Sequence, residues 1–346
     1  MQRTARSSKP RTQQQWQNIV AKYQKPDLKR SLWQVANTFG PYFALLAAMY
    51  LSLSYSYWIT LALALPAGGL LVRIFIILHD CGHGAFFKSQ RANNILGVIC
   101  GLLVFTPYYQ WRFEHAIHHA TSGDLDRRGT GDIMTLTTRE YLALTRWGRL
   151  KYRLYRNPLV FLGIGPWFIF LIAQRFCLPI SKRRERQSVY FTNLFILGLL
   201  ILMWAIGELR AYLIVQLSAA LIAFLAGIWM FYVQHQFDGA YWERHENWDY
   251  MIAALRGSYY FKLPEVLQWF TGNIGLHHIH HLSSRIPNYL LQQCFDENPI
   301  FQQATTITFW SSFKSLRLNL WDEDQRRLVS FADLRRRPLI GAGRVD

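Results

Sequence analysis

The residues with the clearest capacity for chemistry are the histidines. All eleven lie between positions 79 and 281, and eight of them form three short clusters. Each cluster contains i, i+3 or i, i+4 pairs, which place imidazoles on one face of a helix. A metal centre explains three such clusters better than unrelated core or surface histidines do. The candidate ligands are His79 and His83 in the first cluster, His115, His118 and His119 in the second, and His277, His280 and His281 in the third.

The number of imidazoles and the absence of other ligands restrict the metal. Imidazole suits Fe, Zn, Cu or Ni, and eight ligands are too many for one ion but about right for two. A zinc hydrolase site needs only about three protein ligands, and soluble di-iron bundles use Glu-x-x-His pairs, which this sequence lacks. A pair of irons held by imidazoles alone keeps a high positive charge. That charge favours attack on an unactivated C–H bond with O₂ as the oxidant.

The composition indicates that these clusters are positioned by membrane helices. Hydrophobic residues make up 51% of the 346 positions and charged residues only 17%, against about 25% charged in a typical soluble domain. Lys and Arg number 38 against 21 Asp and Glu, a formal net charge of +17. The basic residues cluster beside apolar runs, where they can meet anionic lipid headgroups. We therefore expect an integral membrane protein that does not bind nucleic acid.

Six apolar stretches are candidates for the roughly 20-residue helix that crosses a bilayer. The three clusters can share one membrane face only if the short stretch 95–109 does not cross. The basic loop 181–186 should be cytoplasmic by the positive-inside rule, which makes 158–180 re-entrant or interfacial as well. The predicted spans are then 38–54, 57–78, 189–206 and 211–232.

These inferences predict an all-α integral membrane fold with four transmembrane helices and a cytoplasmic helical cap that holds the histidine-rich di-iron site. A basic cytoplasmic tail is expected over 1–37, the membrane domain over 38–330 and a second cytoplasmic tail over 331–346. The pattern over 301–336 is that of helices.

The three histidine boxes, in this order and each close to an apolar stretch, resemble those of the integral-membrane fatty acid desaturases. The segments 119–132 and 273–289 are similar to the bacterial, cyanobacterial or plastid-type acyl-lipid branch, the delta-12 (omega-6) enzymes most of all. The similarity covers roughly residues 35–330. It implies a four-span bundle with a cytoplasmic di-iron cap in which the eight box histidines are ligands.

The resemblance also implies a ninth ligand, His235, just past the last span. Some relatives carry an Asn four residues before this ligand, but Phe231 stands here, so this feature is either absent or replaced, with Gln234 and Asn273 as the candidates. Four acidic residues, Asp80, Asp124, Asp126 and Asp132, are candidates for accepting hydrogen bonds from ligand imidazoles. Of the remaining histidines, we expect His245 on the surface and His278 outside the ligand set.

The expected function is an O₂-dependent acyl-lipid desaturase that introduces a cis double bond into a membrane fatty acyl chain, with the delta-12 position favoured. The sequence shows no fused cytochrome domain and no Cys-based cluster, so the electron donor should be separate, a ferredoxin in preference to cytochrome b5. The expected location is multi-pass in a bacterial inner membrane with a cytoplasmic active site. Alternatives are a di-iron hydroxylase, a carotenoid ketolase, an alkane monooxygenase and a membrane metal transporter. The transporter would need polar groups inside the spans, where only Arg73 is clearly charged.

Overall fold

The computed structural model describes residues 13–336, which are mostly helical. The longer helices are Leu28–Ser52, Tyr57–His83, Gln90–Leu103, Tyr108–Thr121, Arg183–Ala205 and Leu209–His235. The shorter α-helices are Gln13–Ala21, Thr138–Ala143, Arg146–Tyr155, Tyr250–Arg256, Glu265–Phe270, His277–Leu282, Asn288–Glu297, Phe309–Ser312 and Phe331–Arg336. Single turns of 3₁₀ helix lie at His245–Asn247 and Phe301–Gln303, with a longer one at Phe313–Arg317.

The Tyr57–His83 helix is the centre of the fold. Its first turn is capped by the side chain of Ser56, which accepts a hydrogen bond from Trp58 N–H, and it ends at Gly84 in the left-handed conformation that glycine adopts without strain. It packs against Leu28–Ser52, Gln90–Leu103 and Leu209–His235. Close approach to Leu209–His235 depends on Gly68, since a Cβ there would lie 2.6 Å from Ile222 Cβ.

Three described helices are long and apolar enough to cross a membrane: Tyr57–His83, Arg183–Ala205 and Leu209–His235. They coincide with three of the four predicted spans. The helix over the first predicted span, Leu28–Ser52, is not in this set; its apolar half follows a polar half and contains Pro41. Two bent helix pairs raise the number of possible crossings to five. The four-span arrangement therefore stays a prediction.

Both stretches predicted to be re-entrant or interfacial lie in these bent pairs. Gln90–Leu103 and Tyr108–Thr121 meet at 103°, across a turn in which Phe105 has a φ of 56°. Arg146–Tyr155 and Val160–Arg175 meet at 57°, and the second member is an irregular run of π, α and 3₁₀ turns. Proline lies in both breaks, at Pro107 and Pro158, and cannot donate the backbone bond that a continuous helix requires.

Two details of the predicted organisation differ from the structure. The fold is not all-α, because Tyr260–Lys262 pairs in parallel with Thr306–Thr308 and Leu320–Asp322 pairs antiparallel with Arg327–Val329. The helical pattern expected over 301–336 was therefore wrong in part; β-branched residues at 305–308 favour a strand there.

The inner part of each predicted tail lies among the described residues. The Leu28–Ser52 helix runs through the predicted boundary at residue 37 without a break. Residues 1–12 of the first tail and 337–346 of the second lie outside the described residues.

Candidate metal centre

The two long central helices bring histidines to the same end of the bundle. His79 and His83 lie in the last two turns of Tyr57–His83, and His235 is the last residue of Leu209–His235. These residues were expected to follow the spans, but the helices continue past the apolar stretches and include them. A helix fixes side-chain direction better than a loop does, so the central packing of the bundle positions three imidazoles directly.

Two shorter helices supply the remaining histidines. Tyr108–Thr121 carries the second cluster and His277–Leu282 the third. Each helix faces the centre with its i, i+3 and i, i+4 positions, as the spacing predicted. All histidines of the third cluster are buried.

Nine imidazoles are gathered into two groups, and within each group the candidate ligand atoms all lie within 4.8 Å of one another. The first group consists of His79, His83, His115, His119 and His280; the second consists of His118, His235, His277 and His281. The rings of His119 and His281 stack across the two groups with centroids 4.3 Å apart. The nine members are the nine histidines that the sequence and the resemblance selected.

The distances between nitrogen atoms fit ligands that share a metal. Nε2 of His79 lies 3.0 Å from Nε2 of His280, and Nε2 of His277 lies 3.0 Å from Nε2 of His235. Two ligands at about 2.1 Å from one ion, a usual metal–imidazole distance, are about 3.0 Å apart when they meet at a right angle. The donor set thus fits two ions that accept several imidazole ligands each.

The protonation state also suits metal binding. Burial, with repulsion between neighbouring imidazoles, lowers the pKa of His277, His280 and His281 well below the ordinary value. These rings are therefore neutral near pH 7, which is the form that ligates a metal.

Hydrogen-bond acceptors next to Nδ1 of several imidazoles favour the tautomer in which Nε2 is unprotonated and can bind a metal. His79 Nδ1 lies 3.1 Å from Asp80 Oδ1, and His118 Nδ1 contacts Asp132 Oδ1 in the same way. His235 Nδ1 lies 3.2 Å from the carbonyl oxygen of Gly257. A proton on Nδ1 directs the Nε2 lone pair toward the centre, and such partners orient ligands in known metal sites.

The acidic candidates Asp80 and Asp124 differ in the residues that they contact. Asp80 lies where expected, held by the backbone and side-chain N–H groups of Asn288 at 2.7 and 2.8 Å. Asp124 is buried but contacts no cluster histidine in the described region; it accepts from Arg127 and from His245 Nδ1, 2.8 Å away. Burial alone would raise the pKa of Asp124, and these two partners reverse the shift and lower it.

The side chains of Asn273 and Gln234 donate hydrogen bonds to backbone carbonyl oxygens. The Asn273 amide donates to the carbonyl oxygen of Asn288 at 3.3 Å, and Gln234 donates to that of Ile274 at 3.0 Å. Neither forms a hydrogen bond with a cluster histidine among the described residues, while the ring of Phe231 lies 5.0 Å from that of His118.

The two histidines outside the groups lie where the sequence suggested. His245 is a surface residue with 57% of its side chain exposed. His278 is buried, with Nε2 3.2 Å from the carbonyl oxygen of Phe301.

Asp132 is the loop carboxylate that the structure brings to a ligand candidate, His118. The loop before it turns through Gly129 and Gly131, both with positive φ. A Cβ on Gly131 would lie 2.7 Å from the Glu114 carbonyl oxygen and 3.2 Å from His118 Cβ, so only glycine lets the loop approach the helix this closely. The Gly-Thr-Gly-Asp sequence was the available signal.

An apolar cavity of 570 Å³ opens onto the histidines. Three ligand candidates, His79, His115 and His277, lie in its wall. Along Leu209–His235 the wall extends from Ala220 to Gln234, which is about 21 Å at 1.5 Å per residue. A long, narrow apolar substrate therefore fits the cavity better than a polar one.

Comparison with known proteins agrees with this site. The family model for fatty acid desaturases matches residues 22–312. A Bacillus subtilis (strain 168) protein named fatty acid desaturase is 48% identical over 327 residues, 94% of this chain and 93% of that protein. An sn-1 acyl-lipid omega-3 desaturase (ferredoxin) of Synechocystis is 27% identical over 71% of this chain and 70% of its own length. An sn-1 oleoyl-lipid 12-desaturase of Picosynechococcus is 24% identical over 78% and 79%. Since the matched region contains every histidine of both groups and the whole apolar cavity, the chain belongs to the fatty acid desaturase family.

Proposed function

We propose that this protein is an O₂-dependent acyl-lipid desaturase that introduces a cis double bond into a fatty acyl chain of a membrane lipid, at the delta-12 position of an oleoyl group. The observation that carries the proposal is the apolar cavity with His79, His115 and His277 in its wall. It would place a methylene pair directly beside the two histidine groups. Acyl-lipid relatives support the lipid substrate, and one of them is named a 12-desaturase.

We propose two iron ions as the resident metals, with the nine histidines of the two groups as their ligands. The donor set fits them, since it offers imidazole nitrogen atoms at the spacing of ligands on one ion. Bound there, the irons would supply the activation of O₂ and the removal of hydrogen. The balanced reaction consumes one O₂, two electrons and two protons, takes two vicinal hydrogens from the chain, and yields a cis alkene and two waters.

The protein's own residues position the substrate and the ligands, and they exclude water from the site. Phe75, Ile76 and Phe231 flank the histidines in the cavity wall and exclude water from the reacting carbons. Asp80 and Asp132 fix the rings of His79 and His118, so the ligand nitrogens keep their direction during turnover. Holding one methylene pair near the centre accounts for regiospecificity, because reactivity depends steeply on placement.

The electrons would come from a separate donor, a ferredoxin in preference to cytochrome b5. One acyl-lipid relative is named for ferredoxin. Acidic ferredoxins are suited to a basic protein surface, and this chain has a formal net charge of +17. We place the active site on the cytoplasmic side of a bacterial inner membrane, because the basic segments flank the helix ends that carry the histidines.

The proposal is tested by expression in a host that lacks polyunsaturated lipids, with ferredoxin and its reductase supplied. Gas chromatography with double-bond localisation should reveal a new cis double bond in membrane lipids, only under aerobic conditions. A hydroxylated or oxygenated chain would instead identify a related monooxygenase. No new product from an iron-loaded protein with a working donor would refute the desaturase assignment, and a double bond elsewhere would refute delta-12 alone.

A further inference from the structure

A second pocket, lined by arginines, lies next to the acyl cavity. We propose that it binds the phosphate of an anionic phospholipid and so holds the headgroup of the lipid whose chain enters the cavity. The inference deepens the proposed function and rests on it for the identity of the chain-bearing substrate. Phosphate binding itself can be tested without any turnover.

The pocket has a volume of 770 Å³ and carries a strong excess of positive charge. Five arginines line it against one acidic residue, Asp333, whose carboxylate already accepts from the backbone and hydroxyl of Ser330. None of the five forms an ion pair with a carboxylate among residues 13–336. Arginine is the side chain best suited to bind phosphate oxygens in pairs. The five are Arg153, Arg156, Arg317, Arg335 and Arg336.

Arg156 gives the pocket a fixed, buried wall. Only 4% of it is exposed, and its Nη2 donates to the carbonyl oxygen of Leu318 at 2.7 Å and to Gln236 Oε1 at 3.0 Å. It has no carboxylate partner among the described residues. A buried cation without a counter-charge costs free energy, and an anion in the pocket would offset part of that cost.

The chain between the two cavities is thin. Tyr155 lies in the wall of the acyl cavity and Arg156, the next residue, in the wall of the arginine pocket. Pro158 then faces the arginine pocket, and Val160 the acyl cavity again. Successive Cα atoms are about 3.8 Å apart, so the two cavities are close enough at this segment for one lipid to place its phosphate in one and its acyl chain in the other.

Exposed apolar side chains place the pocket at the level of a membrane surface. Leu159 is 83% exposed, Trp310 79% and Phe313 43%. The last two share a short helical stretch with the exposed Lys314 and with Arg317 of the pocket. Exposed aromatic residues next to Lys and Arg are typical of the membrane–water interface. A lipid headgroup can therefore reach the pocket without leaving the bilayer.

The charge balance favours one class of headgroup. Five arginines against one aspartate would repel the ammonium of a zwitterionic lipid, whereas phosphatidylglycerol presents a phosphodiester with no cation. Free inorganic phosphate shares this chemistry, but only a lipid would also use the apolar rim and the adjacent cavity.

The test uses the full-length, metal-loaded protein in nanodiscs of phosphatidylcholine with or without phosphatidylglycerol. The variants are Arg317→Gln, which removes one pocket charge, and Lys314→Gln, which removes the same charge three residues away outside the pocket. Native mass spectrometry after release should show phosphatidylglycerol retained by the wild-type protein and by Lys314→Gln. Arg317→Gln should retain about tenfold less, as expected for one charge-assisted hydrogen bond.

Equal retention by both variants, with metal content and melting temperature unchanged, would overturn the site. A second arm adds inorganic phosphate to the detergent-purified protein. If phosphate displaces the lipid only at high concentration, the lipid assignment is supported; if free phosphate binds through Arg317 while lipid retention is insensitive to it, the assignment is overturned. A wild-type protein that binds phosphatidylglycerol but forms no double bond in any lipid would refute the proposed function and leave the headgroup site standing.

Discussion

Asp132 offers the sharpest test of how the second histidine group is held. Its Oδ1 contacts His118 Nδ1, and the side chains are only 7% and 1% exposed. Water cannot readily replace the carboxylate at such a site. The variant Asp132→Asn keeps an oxygen that can accept from Nδ1–H but removes the negative charge, and Asp132→Ala removes both.

The size of the effect follows from the role of such partners. Losing the acceptor behind a metal-bound histidine lowers metal affinity by about 10- to 100-fold, or about 1.4 to 2.7 kcal/mol. Because Asn preserves the hydrogen bond, we expect Asp132→Asn near the lower limit and Asp132→Ala near the upper one. Asp124→Asn is the matched control, since Asp124 is also buried in the same loop but contacts Arg127 and His245.

The assay is a chelator titration of the purified, iron-loaded protein, with bound iron measured by mass spectrometry. The chelator concentration that removes half of the iron of the second group should fall in the order wild type, Asp132→Asn, Asp132→Ala, with Asp124→Asn equal to the wild type. Equal retention in all four proteins would show that the carboxylate does not hold the ligand. A loss in Asp124→Asn as large as in Asp132→Asn would mean that the loop, rather than the contact, is responsible.

Three further outcomes are expected. His235→Ala should lose both iron and desaturation while His245→Ala keeps them, because only His235 belongs to a histidine group; full activity in His235→Ala would remove it from the ligand set. Gly227→Leu should lower turnover of long acyl chains about tenfold, because the new side chain would enter the cavity. Gly198→Leu, on an open helix face, should leave turnover unchanged. Equal gas-chromatographic profiles for the two variants would argue against this cavity as the acyl site. Lys182→Cys, at an exposed position, should resist an impermeant maleimide in intact cells, and rapid labelling would place that loop outside.

The ligand set could be predicted because it depends on local periodicity. Spacings of i, i+3 and i, i+4 put imidazoles on one helix face whatever the rest of the fold does, and the long apolar stretches made helices the expected elements. His235 needed the resemblance as well, since one histidine at a helix end carries no spacing signal. The partition into two groups was not visible in the sequence, because it depends on how four helices cross.

The loop residues could not be ranked in the same way. Asp124 and Asp132 stand in one acidic loop. The turn through Gly129 and Gly131 brings this loop close to His118, and Asp132 is the carboxylate that contacts it. The strand at 306–308 pairs with the distant segment 260–262, a partner that the local sequence does not reveal, whereas the strand at 320–322 pairs with the nearby segment 327–329.

The division of the histidines makes both histidine groups depend on the same two short helices. Within Tyr108–Thr121, His115 and His119 serve the first group and His118 the second. Within His277–Leu282 the division is repeated, since His280 belongs to the first group and its neighbour His281 to the second. A shift of either short helix would therefore disturb both groups at once, whereas each long central helix serves one group. Packing of the short helices against the bundle thus holds the two groups in fixed relation, which a reaction that draws two hydrogens from adjacent carbons requires.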